Sequence, residues 1–328
     1  MSRLSSPLSP ALADAVRQSS AHFVVTGGGG WIGRNILEAL DAALGDQTTD
    51  RVSNYGSSTR PLTLQSGRTL PGHKLEAMAD MKSGEKIFLH CAFMTRDRVA
   101  DMSFEDYIAA NEQITQTVLN AASSCTLRGL FMPSSGAVYK KGTHILDTDL
   151  QTNPYGVLKS RDEQAFMRFA SIAPLCMPRL FNLSGPFINK TGIYALASMI
   201  TAALAGEPIH IRAPHRVVRS YIHVFDLIAL TFSSLLDQKH SDVPLFDTRG
   251  TENLEMSDLA EKVRQALNLP HLPITRAPLN PTAAEDFYVG QGDDMQKMMQ
   301  SHGLTARDMT QQIRDTADYL ASMRNEAA

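Results

Sequence analysis

Tyr155 and Lys159, in the run N-P-Y-G-V-L-K, lie four residues apart, so a helix carries both on one face. That spacing suits a tyrosine acting as general acid and base. Its reference pKa is about 10, and ionising it near neutral pH costs about 4 kcal/mol. An ammonium some ~4 Å away, across an effective dielectric near 20, supplies a comparable amount. Lys159 is therefore expected to lower the pKa of Tyr155. The same spacing also occurs on ordinary solvated helices, and Ser135 is what gives it weight. In F-M-P-S-S-G-A-V-Y this serine follows an apolar run that reads as a parallel strand, and open α/β sheets bind ligands at the carboxyl ends of their strands. A hydroxyl there can hold a substrate alcohol or ketone against the tyrosine. Ser135, Tyr155 and Lys159 are the candidate catalytic residues.

A second constellation precedes them. In H-F-V-V-T-G-G-G-G-W-I-G-R-N-I-L-E-A-L, Gly27, Gly30 and Gly33 form T-G-x-x-G-x-x-G, and Gly28, Gly30 and Gly33 also satisfy G-x-G-x-x-G. Glycines at these places allow a tight turn, a close approach of backbone to a pyrophosphate, and close helix-to-strand packing. The helix that follows turns its free N–H groups and the positive end of its dipole toward the phosphates. Four consecutive glycines could equally form a flexible turn, but Phe23, Val24 and Val25 before them read as a strand. Ile32, Ile36, Leu37 and Leu40 after them recur at helical spacing. Gly27, Gly30, Trp31, Ile32 and Gly33 are the candidate cofactor-binding residues of this turn.

The elements that hold these residues alternate. The pattern predicts strands at Arg51–Ser57, Pro61–Gln65, Lys86–Cys91 and Leu130–Ser135, with helices at Lys74–Met81, Ser103–Ser124 and Tyr155–Phe169. Pro154 suits a first helical turn. Such alternation predicts an α/β fold of the Rossmann type, a doubly wound parallel sheet with right-handed crossovers. Beyond Phe181 it changes. Helices are expected at Tyr194–Ala205, from Phe225, and near Met256–Leu267, Asp294–His302 and Ala306–Met323. Short strands are expected near Ile209–Ile211, Val217–Ile222 and Pro244–Asp247. The reading is a tail with a short helix over 1–20, a dinucleotide-binding domain over 21–181, and a smaller, partly interleaved substrate lobe over 182–328. About 215–248 returns to the first domain.

Composition bounds the partners. The chain has 328 residues, 43% hydrophobic and 20% charged, with a formal net charge of -3. There is no basic run to attract nucleic acid or an anionic membrane surface. Cys91, Cys125 and Cys176 are too few and too scattered for a disulfide framework or a four-ligand metal site, which fits a reducing cytoplasm, and no metal is expected. The most apolar window, Ala195–Ala205, is about half the ~20 residues that a membrane helix needs. His90 and His223 read as packed, hydrogen-bonded residues, and Cys91 as a buried thiol without a cationic partner.

In their order and separations, the glycine turn, Ser135, Tyr155 and Lys159 resemble the short-chain dehydrogenase/reductase family, in its extended branch acting mainly on nucleotide sugars. H-C-A-F at His90–Phe93 is similar to the branch's H-x-A-A after the fourth strand, and Asn111 matches a helix asparagine that braces the helix or holds a water near the lysine. P-R-L-F-N-L-S-G-P, with Asn182, resembles the segment that approaches the sugar-nucleotide diphosphate. R-S-Y-I-H-V-F-D-L resembles R-D-F-I-H-V-D-D-L, whose arginine, here Arg219, pairs with a phosphate. Asp294 and Lys297 resemble a structural pair at a helix start. The resemblance implies a nicotinamide cofactor whose ribose Lys159 also binds, a nucleotide-sugar substrate, and a homodimer joined through Ser103–Ser124 and Tyr155–Phe169. Phe104, Tyr107, Phe166 and Phe169 are read as the surplus apolar surface of that interface. Thr95 and Arg96, on the loop after the fourth strand, join Ser135, Asn182 and Arg219 as candidate substrate contacts.

Two departures refine the expectation. The acid that usually closes the second strand is missing from R-V-S-N-Y-G-S-S-T-R, whereas Ser57, Ser58 and Arg60 could take a 2′-phosphate, so NADP is expected over NAD. The acidic pair that dehydratases carry after the strand hydroxyl is Gly136 and Ala137 here, which predicts an epimerase or a keto-sugar reductase. A reductase of a non-sugar carbonyl and a non-catalytic dinucleotide sensor are the alternatives.

Overall fold

The computed structural model describes residues 6–95, 101–237 and 243–327. After α1 (Pro10–Gln18), the first lobe is built from β1 (His22–Thr26), α2 (Trp31–Leu44), β2 (Val52–Gly56), β3 (Gly72–Lys74), β4 (Glu85–His90), α3 (Phe104–Ser123), β5 (Thr126–Phe131), α4 (Pro154–Met167) and β6 (Leu175–Leu180). The helix α5 (Val224–Leu236) and strand β7 (Leu245–Asp247) complete it. The strands pair in parallel in the order β7-β6-β5-β4-β1-β2-β3, and Ser134–Ser135 adds to the end of β6. The order reverses direction between β1 and β4, as a doubly wound sheet requires.

Both faces of this sheet are covered, which is why its strands are apolar without alternation. Phe23, Val25, Ile87, Leu89 and Phe131 pack toward α2 and α5, while Val24, Phe88 and Leu130 pack on the opposite face with Val118, Leu119 and Phe166 of α3 and α4. A second core joins Leu196, Ile200, Leu259, Val263, Ile313 and Leu320, from the helices Ala195–Leu204, Met256–Ala266 and Met309–Ala327. Trp31 belongs to this second core although it opens α2. The later segment is interleaved: α5 packs in the first core and β7 pairs with β6, and Met295, Met298 and Met299 of the helix Asp293–Ser301 also join the first core. Among the described residues no helix is long and apolar enough to cross a membrane, and no group of three His, Cys, Asp or Glu could hold a metal ion.

Two expectations need correction. The strand expected at Pro61–Gln65 is not in the sheet: Leu62–Thr63 forms a small antiparallel hairpin with Thr69–Leu70, and Gly72–Lys74 takes the edge position beside β2. A sheet edge does not need the apolar residues that the pattern followed. Three of the four aromatic residues read as interface surplus, all but the partly exposed Phe104, are taken up inside the chain. Tyr107 and Phe166 are fully buried and Phe169 nearly so within this one chain, and the outer surface of α3 and α4 carries an Arg161–Glu112 ion pair and Gln116 bonded to Asn120.

Burial also makes a prediction about acid. Desolvation pushes the imidazole pKa down to about 4 at His22 and to about 3 at both His90 and His223. The unfolded chain therefore binds protons that the native chain refuses, and stability present above the unfolded value near 6.5 is lost as pH falls below it. The slope approaches about 4 kcal/mol per pH unit if all three sites act together. Buried carboxyls whose pKa is raised, such as Glu38, Asp162 and Asp226, oppose the loss at the acid end. The fall is therefore steepest between roughly pH 6.5 and 5. Urea unfolding across that range is expected to show the midpoint dropping; a flat or rising midpoint would show that these imidazoles are protonated in the native state.

Candidate active site

The glycine turn is held by contacts that leave no room for side chains. Gly27 has φ +72°, and a Cβ there would meet the Cys91–Ala92 backbone at 2.7–2.9 Å. A Cβ on Gly33 would run into the carbonyl of Gly27, which welds α2 to the turn. Gly29 borders open space, and Gly30 caps α2 with no side-chain hydrogen bond. The 14-residue helix thus offers its first N–H groups beside an open glycine backbone, an arrangement that fits a dinucleotide pyrophosphate. Trp31 contributes differently from expectation. Its indole donates to the Pro186 carbonyl at 2.7 Å and packs tilted on Tyr194 at 5.4 Å, so its ring ties the lobes together. Ile32 is partly buried against the first core. Ser57, Ser58 and Arg60 form an exposed loop at the end of β2, where the Arg60 amide donates to Ser58.

Ser135, Tyr155 and Lys159 converge at the carboxyl end of the sheet. Asn153 sets their alignment. Its side chain accepts from the Gly156 amide at 3.0 Å to cap α4, and donates to the Ala137 carbonyl at 2.8 Å in the turn after Ser135. Gly156 is required because a Cβ would overlap that carbonyl. The helix end is thereby seated on the serine turn, which brings the Tyr155 phenol beside Ser135. Burial raises the phenol pKa strongly, and the Ser135 hydroxyl only partly opposes it. The expected lowering by Lys159 is not among the influences on the phenol, and burial favours its protonated form.

Lys159 explains part of this. It is 6% exposed, its ammonium donates to the Pro133 carbonyl at 3.0 Å, and it lies 3.9 Å from the centre of the Phe93 ring. Burial lowers its pKa, while Asp162 just behind it opposes the shift, followed by Cys91 and Glu163. The carboxylates sit three and four residues along α4 from Lys159, on the same side of the helix. Asp162 accepts from Thr115 of α3 at 2.7 Å. Glu163 holds Arg179 through two bonds of 2.7 and 2.8 Å and takes the hydroxyl of Ser134. From Arg179 the chain of contacts runs to the Tyr139 hydroxyl and on to Asp247 at 2.9 Å. Of these, only the helical spacing of Asp162 and Glu163 was available in the sequence; Arg179, Tyr139 and Asp247 come from separate strands and turns.

Phe93, Tyr194 and Tyr288 lie near the phenol, and Phe181 backs Tyr288. Phe93 packs edge-to-face on Tyr155 at 5.5 Å, Phe181 packs on Tyr288 at 4.8 Å, and Tyr288 and Tyr194 are close enough to disfavour ionisation of Tyr155. A Cβ on Gly136 would meet the Phe181 ring at 2.5–2.7 Å. The other candidates divide. Asn182 lies beyond β6, its amide donating to the Ser220 carbonyl. Arg219 is held by Asp286 through two bonds of 3.1 and 3.2 Å and lies over Tyr288. Thr95 accepts from Lys190 at 3.1 Å, and Arg96 lies outside the described residues. Asn111 braces rather than waits for a water: it accepts from the Met94 amide and donates to the Tyr107 carbonyl. His90 bonds Thr26 at 2.7 Å and His223 caps α5 by accepting from Phe225. The Cys91 thiol is pushed up to about 12 by burial and is no nucleophile. Asp294 and Lys297 pair at 3.9 Å along the helix Asp293–Ser301.

A 4-hydroxy-2-methyl-3-oxo-4-farnesyl-3,4-dihydroquinoline-1-oxide ketoreductase of Stigmatella aurantiaca is 32% identical over 133 residues, which cover 38% of this chain and 36% of that protein. Among solved structures, the UDP-N-acetylglucosamine 4-epimerase of Methanobrevibacter ruminantium M1 in complex with UDP-N-acetylmuramic acid superposes with a TM-score of 0.71 at 19% identity, covering 93% of this chain and 100% of that one. The UDP-glucuronic acid 4-epimerase of Bacillus cereus in complex with UDP-glucuronic acid and NAD gives 0.66 at 18% identity, with 92% and 99% covered. At these identities the structures share the fold. The model of the NAD dependent epimerase/dehydratase family matches residues 23–243, well over half of the sequence, and the chain belongs to that family.

Proposed function

We propose that the protein is an NAD(P)-dependent enzyme that transfers a hydride at a sugar carbon of a nucleotide sugar, as an epimerase or a keto-sugar reductase. The observation that carries this reading is the convergence of Ser135, Tyr155 and Lys159 at the carboxyl end of the sheet, where the start of α4 is seated on the serine turn through Asn153. A nicotinamide, when bound, supplies or accepts the hydride. The chain does the rest: Ser135 orients the reacting oxygen, Tyr155 gives or takes its proton, and Lys159 binds the ribose and stabilises the phenolate. The glycine backbone and the start of α2 hold the pyrophosphate. Asn182 and Arg219 receive the substrate diphosphate, which requires Arg219 to exchange Asp286 for a phosphate. Dehydration is disfavoured, because the Phe181 ring fills the space that an acid at position 136 would need. NADP is the preferred cofactor through Ser57, Ser58 and Arg60, although the Bacillus cereus structure holds NAD. Association as a homodimer through α3 and α4 would rest on their polar outer surface.

A specific observation favours a second reading, reduction of a non-sugar carbonyl. Arg219, the expected phosphate ligand, already carries a carboxylate, and aromatic rings lie near Tyr155. The partial relative from Stigmatella aurantiaca is named a ketoreductase. Thermal-shift titration of the protein with NAD or NADP, then with free UDP, GDP, CDP and dTDP, separates the two. Stabilisation by at least one nucleoside diphosphate, lost in Arg219→Ala, is expected for the sugar reading, because a ligand of the native state raises its stability. Stabilisation by dinucleotide alone would favour the carbonyl reductase.

A further inference from the structure

Phe93 stands where the resembling motif H-x-A-A ends in alanine, and its ring touches both members of the pair that the chemistry needs together. The Lys159 ammonium lies 3.9 Å from its centre, and the ring of Tyr155 meets it at 5.5 Å and 86°. Cation–π contact of a desolvated ammonium with an aromatic face is attractive, and here the Pro133 carbonyl completes the grip at 3.0 Å.

The backbone around Phe93 is tied down on both sides. The Cys91 amide donates to the Thr26 carbonyl at 3.0 Å and the Ala92 amide to the Thr26 hydroxyl at 3.1 Å. On the other side, the Met94 amide donates to Asn111 at 2.9 Å and its carbonyl accepts from the Tyr107 hydroxyl at 2.8 Å. Gly27 abuts the same Cys91–Ala92 backbone from the glycine turn. The segment cannot swing away as a loop without breaking these bonds, whereas the partly exposed ring can turn about its own side-chain bonds.

We propose that Phe93 is a gating and positioning residue for the cofactor: its ring, packed on Lys159 and Tyr155, must turn away before a nicotinamide ribose reaches them. This rests on the reading of the site as a nicotinamide dinucleotide site. Cofactor binding then does two things with one motion. It vacates the ribose position, and it frees the ammonium to stabilise the phenolate of Tyr155, so the general base is assembled only on the loaded enzyme. The apparent affinity for the whole dinucleotide is reduced by the fraction of enzyme whose ring is displaced. The adenosine half, bound at the glycine turn, escapes this cost.

The test compares binding of NAD and NADP with binding of ADP and 2′-phospho-ADP, which lack the nicotinamide half, by calorimetry on the full chain. In Phe93→Ala the dinucleotides are expected to bind about ten-fold tighter, with the two half-ligands unchanged. Phe93→Tyr, which keeps an aromatic face, is expected to restore the wild-type ratio. Should Phe93→Ala not fold, Phe93→Leu serves, since it also removes the π face. An unchanged ratio of whole to half ligand, weaker dinucleotide binding in the truncated variants, or a Phe93→Tyr that behaves like Phe93→Ala would overturn the proposal. Wild-type protein that binds neither dinucleotide would overturn the underlying reading as well, and so be told apart from a failure of Phe93 alone.

Discussion

Tyr155→Phe is expected to lower turnover by about 10²–10⁴, the range typical of general acid–base groups, while cofactor affinity changes little. The substitution removes one oxygen and keeps the ring that Phe93 packs on. It also leaves Lys159 with its bond to Pro133 and its contact with Phe93, so the ribose-binding group is intact. The loss is expected in kcat and kcat/KM together, because the proton is transferred in the transition state and not in the binding step. Steady-state kinetics on the substrate found by titration, with dinucleotide binding measured in parallel, checks this. Turnover within a few-fold of wild type would remove Tyr155 from the chemistry.

The largest effect on stability is expected from Arg179. Its guanidinium makes a two-pronged pair with Glu163, which is 3% exposed, and reaches the Tyr139 hydroxyl. Removing one partner of a buried pair leaves a charge without compensation, at a cost of about 3–5 kcal/mol. Arg179→Ala should lose that much in urea unfolding. Adding Glu163→Gln to it should recover part of the loss, because the stranded charge is gone. The pair sits directly behind the active site, since Glu163 also takes the hydroxyl of Ser134 beside Ser135. A single variant as stable as wild type, or a double variant no better than the single, would mean that solvent reaches Glu163.

The contrast between these two predictions reflects what a sequence can carry. Ser135, Tyr155 and Lys159 could be read in advance because a strand end and one helical turn fix how they project, and both are local periodicities. The glycine turn was legible for the same reason, since positive φ and close packing narrow the choice to one residue type. Glu163 and Arg179 are 16 residues apart on different elements, and Arg219 and Asp286 are 67 apart; no periodicity joins such pairs. Phe93 was within a quoted motif, but its meaning lay in a ring position that spacing does not encode. The helix pattern also could not say what each apolar side faces. Tyr107, Phe166 and Phe169 looked like surplus, yet the sheet face formed by Val24, Phe88 and Leu130 absorbs the two phenylalanines and Tyr107 turns inward to Met94. The third sheet strand was missed because Gly72–Lys74 sits at an edge where polar residues serve, while the apolar Leu62–Leu64 run went into a hairpin beside it.

Following a deuterium label most directly tests whether this chain moves a hydride onto a nucleotide sugar. Protein is incubated with a reduced nicotinamide cofactor deuterated at its transferring carbon and with a panel of keto nucleotide sugars, and the sugars are recovered for mass analysis. The account predicts label on a ring carbon of at least one nucleotide sugar in wild-type protein, accumulating at least about a hundred-fold more slowly in Tyr155→Phe. Label that reaches a free ketone but no nucleotide sugar, or label transfer in Tyr155→Phe within a few-fold of the wild-type rate, would contradict it.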